Sequence, residues 1–176
     1  MTRTPADGGA TRDAGGRDDP VEVVRHVHFA MTGSFPLRLA DLFFADDALY
    51  VAEYGHLTPL FGLGTGEHRR AAADARRTYE EGGAEAVLRR ADTVRRYAPE
   101  ALDRVTLHDG GWLGRPRVAV SPATGRGHAY RLHEVPEFDA LADAVSEWGV
   151  GRGVTVECGS GIGGGPVERL ARLLPE

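Results

Sequence analysis

His26 and His28 are the first residues in the chain whose types and spacing suit chemistry. Two histidines at i and i+2 of a strand point to one side, so both imidazoles can reach one metal ion. A third ligand must come from elsewhere, such as His56, His128 or His133, and no motif in the sequence brings one there. Neither a metal site nor a cofactor is therefore expected. His108-Asp109 has the composition of half an acid–base pair, but Asp-Gly-Gly after a strand is better explained by turn chemistry. No serine sits in a nucleophile elbow. The single cysteine, Cys158, adjoins a glycine-rich stretch and not a defined pocket. Gly62-Leu63-Gly64-Thr65-Gly66 precedes a helix and could offer backbone N–H groups to an anion, with His68 and Arg69 nearby. It lacks the lysine and the spacing of a P-loop and reads as a plain loop. Gly159-Ser160-Gly161-Ile162-Gly163-Gly164 matches GxGxxG in form, yet a dinucleotide unit needs a second strand and an acidic residue further on, which do not follow. No catalytic constellation emerges, which points away from an enzyme.

Contact chemistry is better represented. Trp112 stands at the expected tip of a hairpin with Leu113, Arg115 and Arg117 beside it. An exposed tryptophan flanked by arginine is the signature of an interface with a protein or with anionic lipid. The loop 56–63 carries Leu57, Leu60, Phe61 and Leu63, a second apolar contact candidate unless a helix covers it. Trp112, Leu113, Arg115, Arg117, Leu60 and Phe61 are thus the expected binding residues. Arg69, Arg70, Arg76 and Arg77 form a stripe on one expected helix, but Asp74, Glu80 and Glu81 lie four residues beyond three of them. Over residues 67–96 eight arginines meet six carboxylates, the pattern of a solvated, salt-bridged face.

The elements that must position these groups follow from composition and periodicity. The chain has 176 residues and a formal net charge of −5, enough length for a core and no global basic field to recruit nucleic acid. All 21 basic residues are arginine, asparagine and glutamine are absent, and Ile162 is the lone isoleucine. This is the codon bias of a high-GC, prokaryotic genome, so arginine abundance says little about arginine chemistry. One cysteine permits no internal disulfide and suits a reducing cytoplasm. No run approaches the length of a membrane-spanning helix, and the start of the chain has no signal-peptide core.

Residues 1–20 are rich in Gly and Asp and are expected to be disordered. Residues 21–31 read as a strand, with Val21, Val23, Val27, Phe29 and Met31 on one face. Residues 37–44 and 49–54 form a hairpin around Ala45-Asp46-Asp47-Ala48. A helix is expected over 67–81, ended by Gly82-Gly83, and a second over 84–95. Strands are expected at 102–108, 117–121 and 128–133. Phe138, Leu141, Ala142, Val145 and Trp148 then recur at three- and four-residue spacing, the clearest amphipathic helix in the chain, with Gly149 as its C-terminal cap. A short strand over 154–157, a flexible glycine-rich stretch over 159–165 and a short helix or tail over 167–174 follow.

This order resembles the pleckstrin-homology-like superfold, in particular its GRAM-type and bacterial members. The residues that carry the resemblance are Leu42-Phe43-Phe44-Ala45-Asp46-Asp47-Ala48-Leu49-Tyr50 for the early hairpin, Leu102 and Val105, Val118–Val120, Gly125, Tyr130 and Leu132 for the later strands, and Phe138–Trp148 for the closing helix. The insert at 67–95 departs from the common pattern, and the acidic turn stands where phosphoinositide-binding members place basic residues. The resemblance implies an α+β fold: a small antiparallel β-barrel or bent sheet closed by a C-terminal amphipathic helix. Residues 21–148 would form the domain, with 149–176 as a tail. The expected function is a non-enzymatic binding module of the cytoplasm, or of the inner membrane face, contacting a protein partner or an anionic lipid surface. A homo-oligomer built on the insert, and a small-ligand enzyme using His108, Asp109 and His133, are the alternatives.

Overall fold

A computed structural model describes residues 21–33, 37–57, 66–111, 114–134 and 137–159. The N-terminal 20 residues, the glycine-rich stretch after Gly159, and the candidate contact residues Leu60, Phe61, Trp112 and Leu113 lie outside them. The elements run β1 (Val23–Thr32), β2 (Leu37–Ala45), β3 (Leu49–Leu57), α1 (Glu67–Arg90), β4 (Thr93–Tyr97), a 3-10 turn (Pro99–Ala101), β5 (Leu102–His108), β6 (Arg117–Pro122), β7 (His128–Leu132), α2 (Phe138–Val150) and β8 (Thr155–Gly159). All eight strands join one sheet in the order β4-β3-β2-β1-β7-β6-β5-β8. The fold is α+β. The sheet is mixed, because β8 runs parallel to β5, and it is not closed into a barrel: β4 and β8 are its two ends.

The expected hairpin at the acidic turn is present, with Ala45 N donating to Ala48 O at 2.9 Å and Leu42 opposite Val51. The main core lies on one side of the sheet. Val27, Ala40, Leu42, Phe44 and Leu49 meet Val105, Leu107, Val118, Val120, Tyr130 and Leu132 there. The amphipathic face of α2 covers this side with Leu141, Val145 and Trp148, and Phe138 packs at the margin. Trp148 Nε1 donates to Ala45 O at 2.7 Å, so its polar edge is satisfied inside the core. Arg152, just past α2, clamps the acidic turn by donating to Asp46 O at 2.8 Å and to Asp46 Oδ1 at 2.5 Å.

Helix α1 lies on the opposite side, against β1, β2 and β3. It makes β2 buried on both faces: Leu39 contacts Ala72, and Phe43 packs with Ala84 and Val87. As expected, Gly82 and Gly83 leave helical geometry and divide α1 into two helical segments at a kink, Gly83 taking φ 66°, a conformation glycine adopts without steric cost, and the second segment starts at Ala84.

Three further expectations are corrected. The helix expected over 84–95 stops at Arg90, and Thr93–Tyr97 is a strand paired with β3. Gly149 is not the cap. Helix α2 continues through it, and a Cβ there would lie 2.4 Å from Val156 Cγ2, so glycine is what lets β8 pass close to the helix. The single apolar face assigned to β1 is split by register shifts between Val23 and Arg25 and between Val27 and Ala30. Val27 joins the main core, while Val23, Phe29 and Met31 pack on the α1 side. A bulge of this kind adds a residue to one strand and reverses the alternation beyond it.

Candidate functional site

The second irregularity of β1 builds the most unusual chemistry in the molecule. Phe29 sits at φ 57°, the one non-glycine residue with positive φ among those described. For a bulky aromatic residue this conformation is strained. It aims the Phe29 N–H at the neighbouring strand, where Asp41 Oδ1 accepts it at 3.1 Å. Asp41 is fully buried on the α1 face of β2. Tyr54, from β3, donates its hydroxyl to the same Oδ1 at 2.7 Å. On the other carboxylate oxygen, Oδ2, His26 Nε2 lies at 2.9 Å and His28 Nδ1 at 3.0 Å.

Four donors thus surround one carboxylate. Burial by itself would push the Asp41 carboxyl up, but the hydrogen bonds and attraction of His26 and His28 outweigh it and hold the group well below the usual carboxylate range. Tyr54 is pushed far up, first by burial and then by the Asp41 charge, so its hydroxyl stays a donor. The rings are also fixed from outside. His26 is stacked on Phe43 at 4.5 Å and faces Tyr79 of α1 at 4.3 Å.

His28 opens onto a cleft of about 300 Å³ between β1 and α1. Phe29, Arg69, Ala72, Arg76, Arg77, Glu80 and Glu134 also line it. Arg76 reaches Glu134 at 3.7 Å and Arg77 pairs with Asp74 at 3.0 Å, both pairs well exposed. At one end His133 stacks on Phe29, rings 4.4 Å apart and nearly parallel, with His68 6.1 Å beyond. Burial, and then the Arg115 charge, hold His133 below its ordinary pKa.

Of the expected site residues, the structure places exposed Arg115 beside this end of the cleft and half-buried Arg117 on β6 opposite Arg131. His26 and His28 do share a face. The third donor beside them among the described side chains is Asp41, not His128 or His133; the side chain of His56 lies outside them. The reading of 108–111 as turn chemistry fits: Gly111 N donates to Asp109 Oδ1 at 2.8 Å. The other buried carboxylate among the described residues, Glu53, is held by Arg38 at 3.1 Å and by Arg95, and reads as a tie between β2, β3 and β4.

Fold and site together define an α+β domain on an open mixed sheet, with a histidine–carboxylate centre and an arginine-lined cleft under one helix. No protein-family model matches the sequence, and no curated protein matches it. Among solved structures, the hSac2 domain from the human phosphoinositide phosphatase Sac2 is broadly similar in fold. The two share 12% identity over 82% of this chain and 79% of that one, with a TM-score of 0.46. No helix among the described residues is long and apolar enough to cross a membrane.

Proposed function

We propose that this chain is a non-enzymatic binding module of the pleckstrin-homology-like kind, which docks on an anionic lipid surface through the face surrounding Phe29. The lining of the cleft carries the reading. Three arginines, Arg69, Arg76 and Arg77, meet two glutamates, Glu80 and Glu134, and Arg76 and Arg77 are more than half exposed. Exposed Arg115 adds a positive charge felt at His133. The chain also supplies the apolar partners such a surface needs. Leu60 and Phe61 precede the α1 N-cap Gly66, and Trp112 and Leu113 precede Pro116, whose carbonyl accepts Leu132 N at 2.7 Å. Basic groups would then meet headgroups while Trp112, Leu113, Leu60 and Phe61 enter the interface.

Vesicle co-sedimentation tests this. Binding to vesicles with anionic lipid, absent with zwitterionic lipid and weakened by salt, is the expected result. Arg76→Ala with Arg77→Ala removes two charges at about 1 kcal/mol each, roughly a 30-fold loss. Trp112→Ala should lower binding at every salt concentration. If anionic vesicles fail to pellet the wild-type chain, the lipid reading is wrong and the face belongs to a protein partner or a second copy.

A further inference from the structure

We infer that His26 Nε2, His28 Nδ1 and Asp41 Oδ2 form a binding site for a divalent transition-metal ion of the zinc type. The donor set is two imidazoles and one carboxylate, which suits such an ion and not calcium or magnesium. The spacing fits as well. Oδ2 lies 2.9 and 3.0 Å from the two nitrogens, and the three atoms lie within 4.8 Å of one another. A tetrahedral ion about 2.0–2.2 Å from each ligand needs neighbouring donors about 3.3–3.6 Å apart, so each imidazole has to draw back only about half an ångström from Oδ2.

The surroundings are those of a ligand shell. Tyr54 and the Phe29 N–H both bind Oδ1, which turns Oδ2 toward the histidines and fixes the carboxylate plane. Phe43 and Tyr79 hold the His26 ring. The strained bulge at Phe29 exists at this point of β1 and supplies one of those outer hydrogen bonds. In the metal-free state Nε2–H of His26 and Nδ1–H of His28 donate to Oδ2. On metal binding each ring presents a lone pair at that nitrogen, and the proton it had shared with Oδ2 passes to the other ring nitrogen or to solvent.

The site keeps an open position. The side chains of His26 and His28 are 15% and 14% exposed, and His28 faces the cleft. Arg69 and Arg76 there favour an anionic fourth ligand over a second cation. The inference stands on the β1–β2–β3 geometry and not on the lipid reading.

Isothermal titration of the chelator-stripped full chain with zinc sulfate tests it, with the visible absorption of the cobalt(II) form as a second readout. One saturable equivalent is expected. His28→Asn should abolish it, Tyr54→Phe should weaken it about 10–100-fold through the outer hydrogen bond alone, and His128→Asn should leave it unchanged. Circular dichroism of each variant separates lost ligation from lost folding, and Tyr54→Phe retains all three ligands. The inference is overturned if the wild-type chain shows no saturable equivalent, or if folded His28→Asn binds as wild type does; the cluster is then a hydrogen-bonded centre only.

Discussion

Replacing Asp41 isolates how much one buried carboxylate holds together. Asp41→Ala removes the acceptor of Phe29 N–H and Tyr54 OH, both on the covered α1 face. Each buried donor left without a partner costs about 1–3 kcal/mol. His26 and His28, partly exposed, can turn to water and add less. The total is about 4 kcal/mol, in the range for removing one member of a buried charged cluster. Asp41→Asn keeps an acceptor for the Phe29 and Tyr54 donors, so its cost is about 1–2 kcal/mol. Urea unfolding at neutral pH with chelator present measures both, and an unchanged slope against denaturant confirms that the shift is one of stability. The pH dependence adds a second signature. The folded carboxyl titrates well below the unfolded one, so the unfolded chain binds more protons as the solution is acidified. The stabilisation is complete above about pH 4 and is lost as pH falls toward the folded pKa. The gap between wild type and Asp41→Asn should therefore shrink by about 1 kcal/mol by about pH 3. An Asp41→Ala loss under about 1 kcal/mol, or a gap that is flat through this range, refutes the reasoning.

Leu141 is 2% exposed in the centre of the face that α2 lays on the sheet, so Leu141→Asp should abolish the folded state; normal expression with an unaltered melting temperature would contradict this architecture. At Gly149 a methyl group would meet Val156 Cγ2 at 2.4 Å and the Val154 carbonyl at 2.8 Å. Gly149→Ala should cost about 1–3 kcal/mol by thermal or urea unfolding, although alanine is the better helix former.

Sequence reasoning reached the parts of this fold that repeat a simple period. The β2–β3 hairpin, the β5–β6–β7 run and α2 each alternate or recur cleanly over several residues, so each could be read from its own segment. Strand β4 could not. Thr93–Tyr97 is five residues long, carries Arg95 and Arg96, and continues an arginine-rich helix without a glycine or proline between them. Its strand identity comes from pairing with β3, a tertiary effect. The bulges of β1 escaped for a related reason: an inserted residue shifts the alternation without changing composition. Asp41 did leave a signal. It stands inside Leu39-Ala40-Asp41-Leu42-Phe43-Phe44, and an acid within an apolar strand must find donors once it is buried. Reading that strand as buried on both faces, as α1 makes it, would have pointed to His26 and His28 as the partners.

The order of strands also sets a timetable for synthesis. The strands β1 to β4 are sequential neighbours, as are β5 to β7, and the hydrogen-bonded join between the two runs is the β1–β7 pairing at Ala30–Leu132 and Met31–Arg131. The first run and α1 are complete once Tyr97 has been made, yet the apolar side formed by Val27, Ala40, Leu42 and Phe44 has its cover only when β5–β7 and α2 follow. At about 5–20 residues per second, translation through residue 150 leaves that surface uncovered for roughly 3–10 s. During that interval the apolar residues of β1 and β2 lack the partners that β5–β7 and α2 give them in the finished fold.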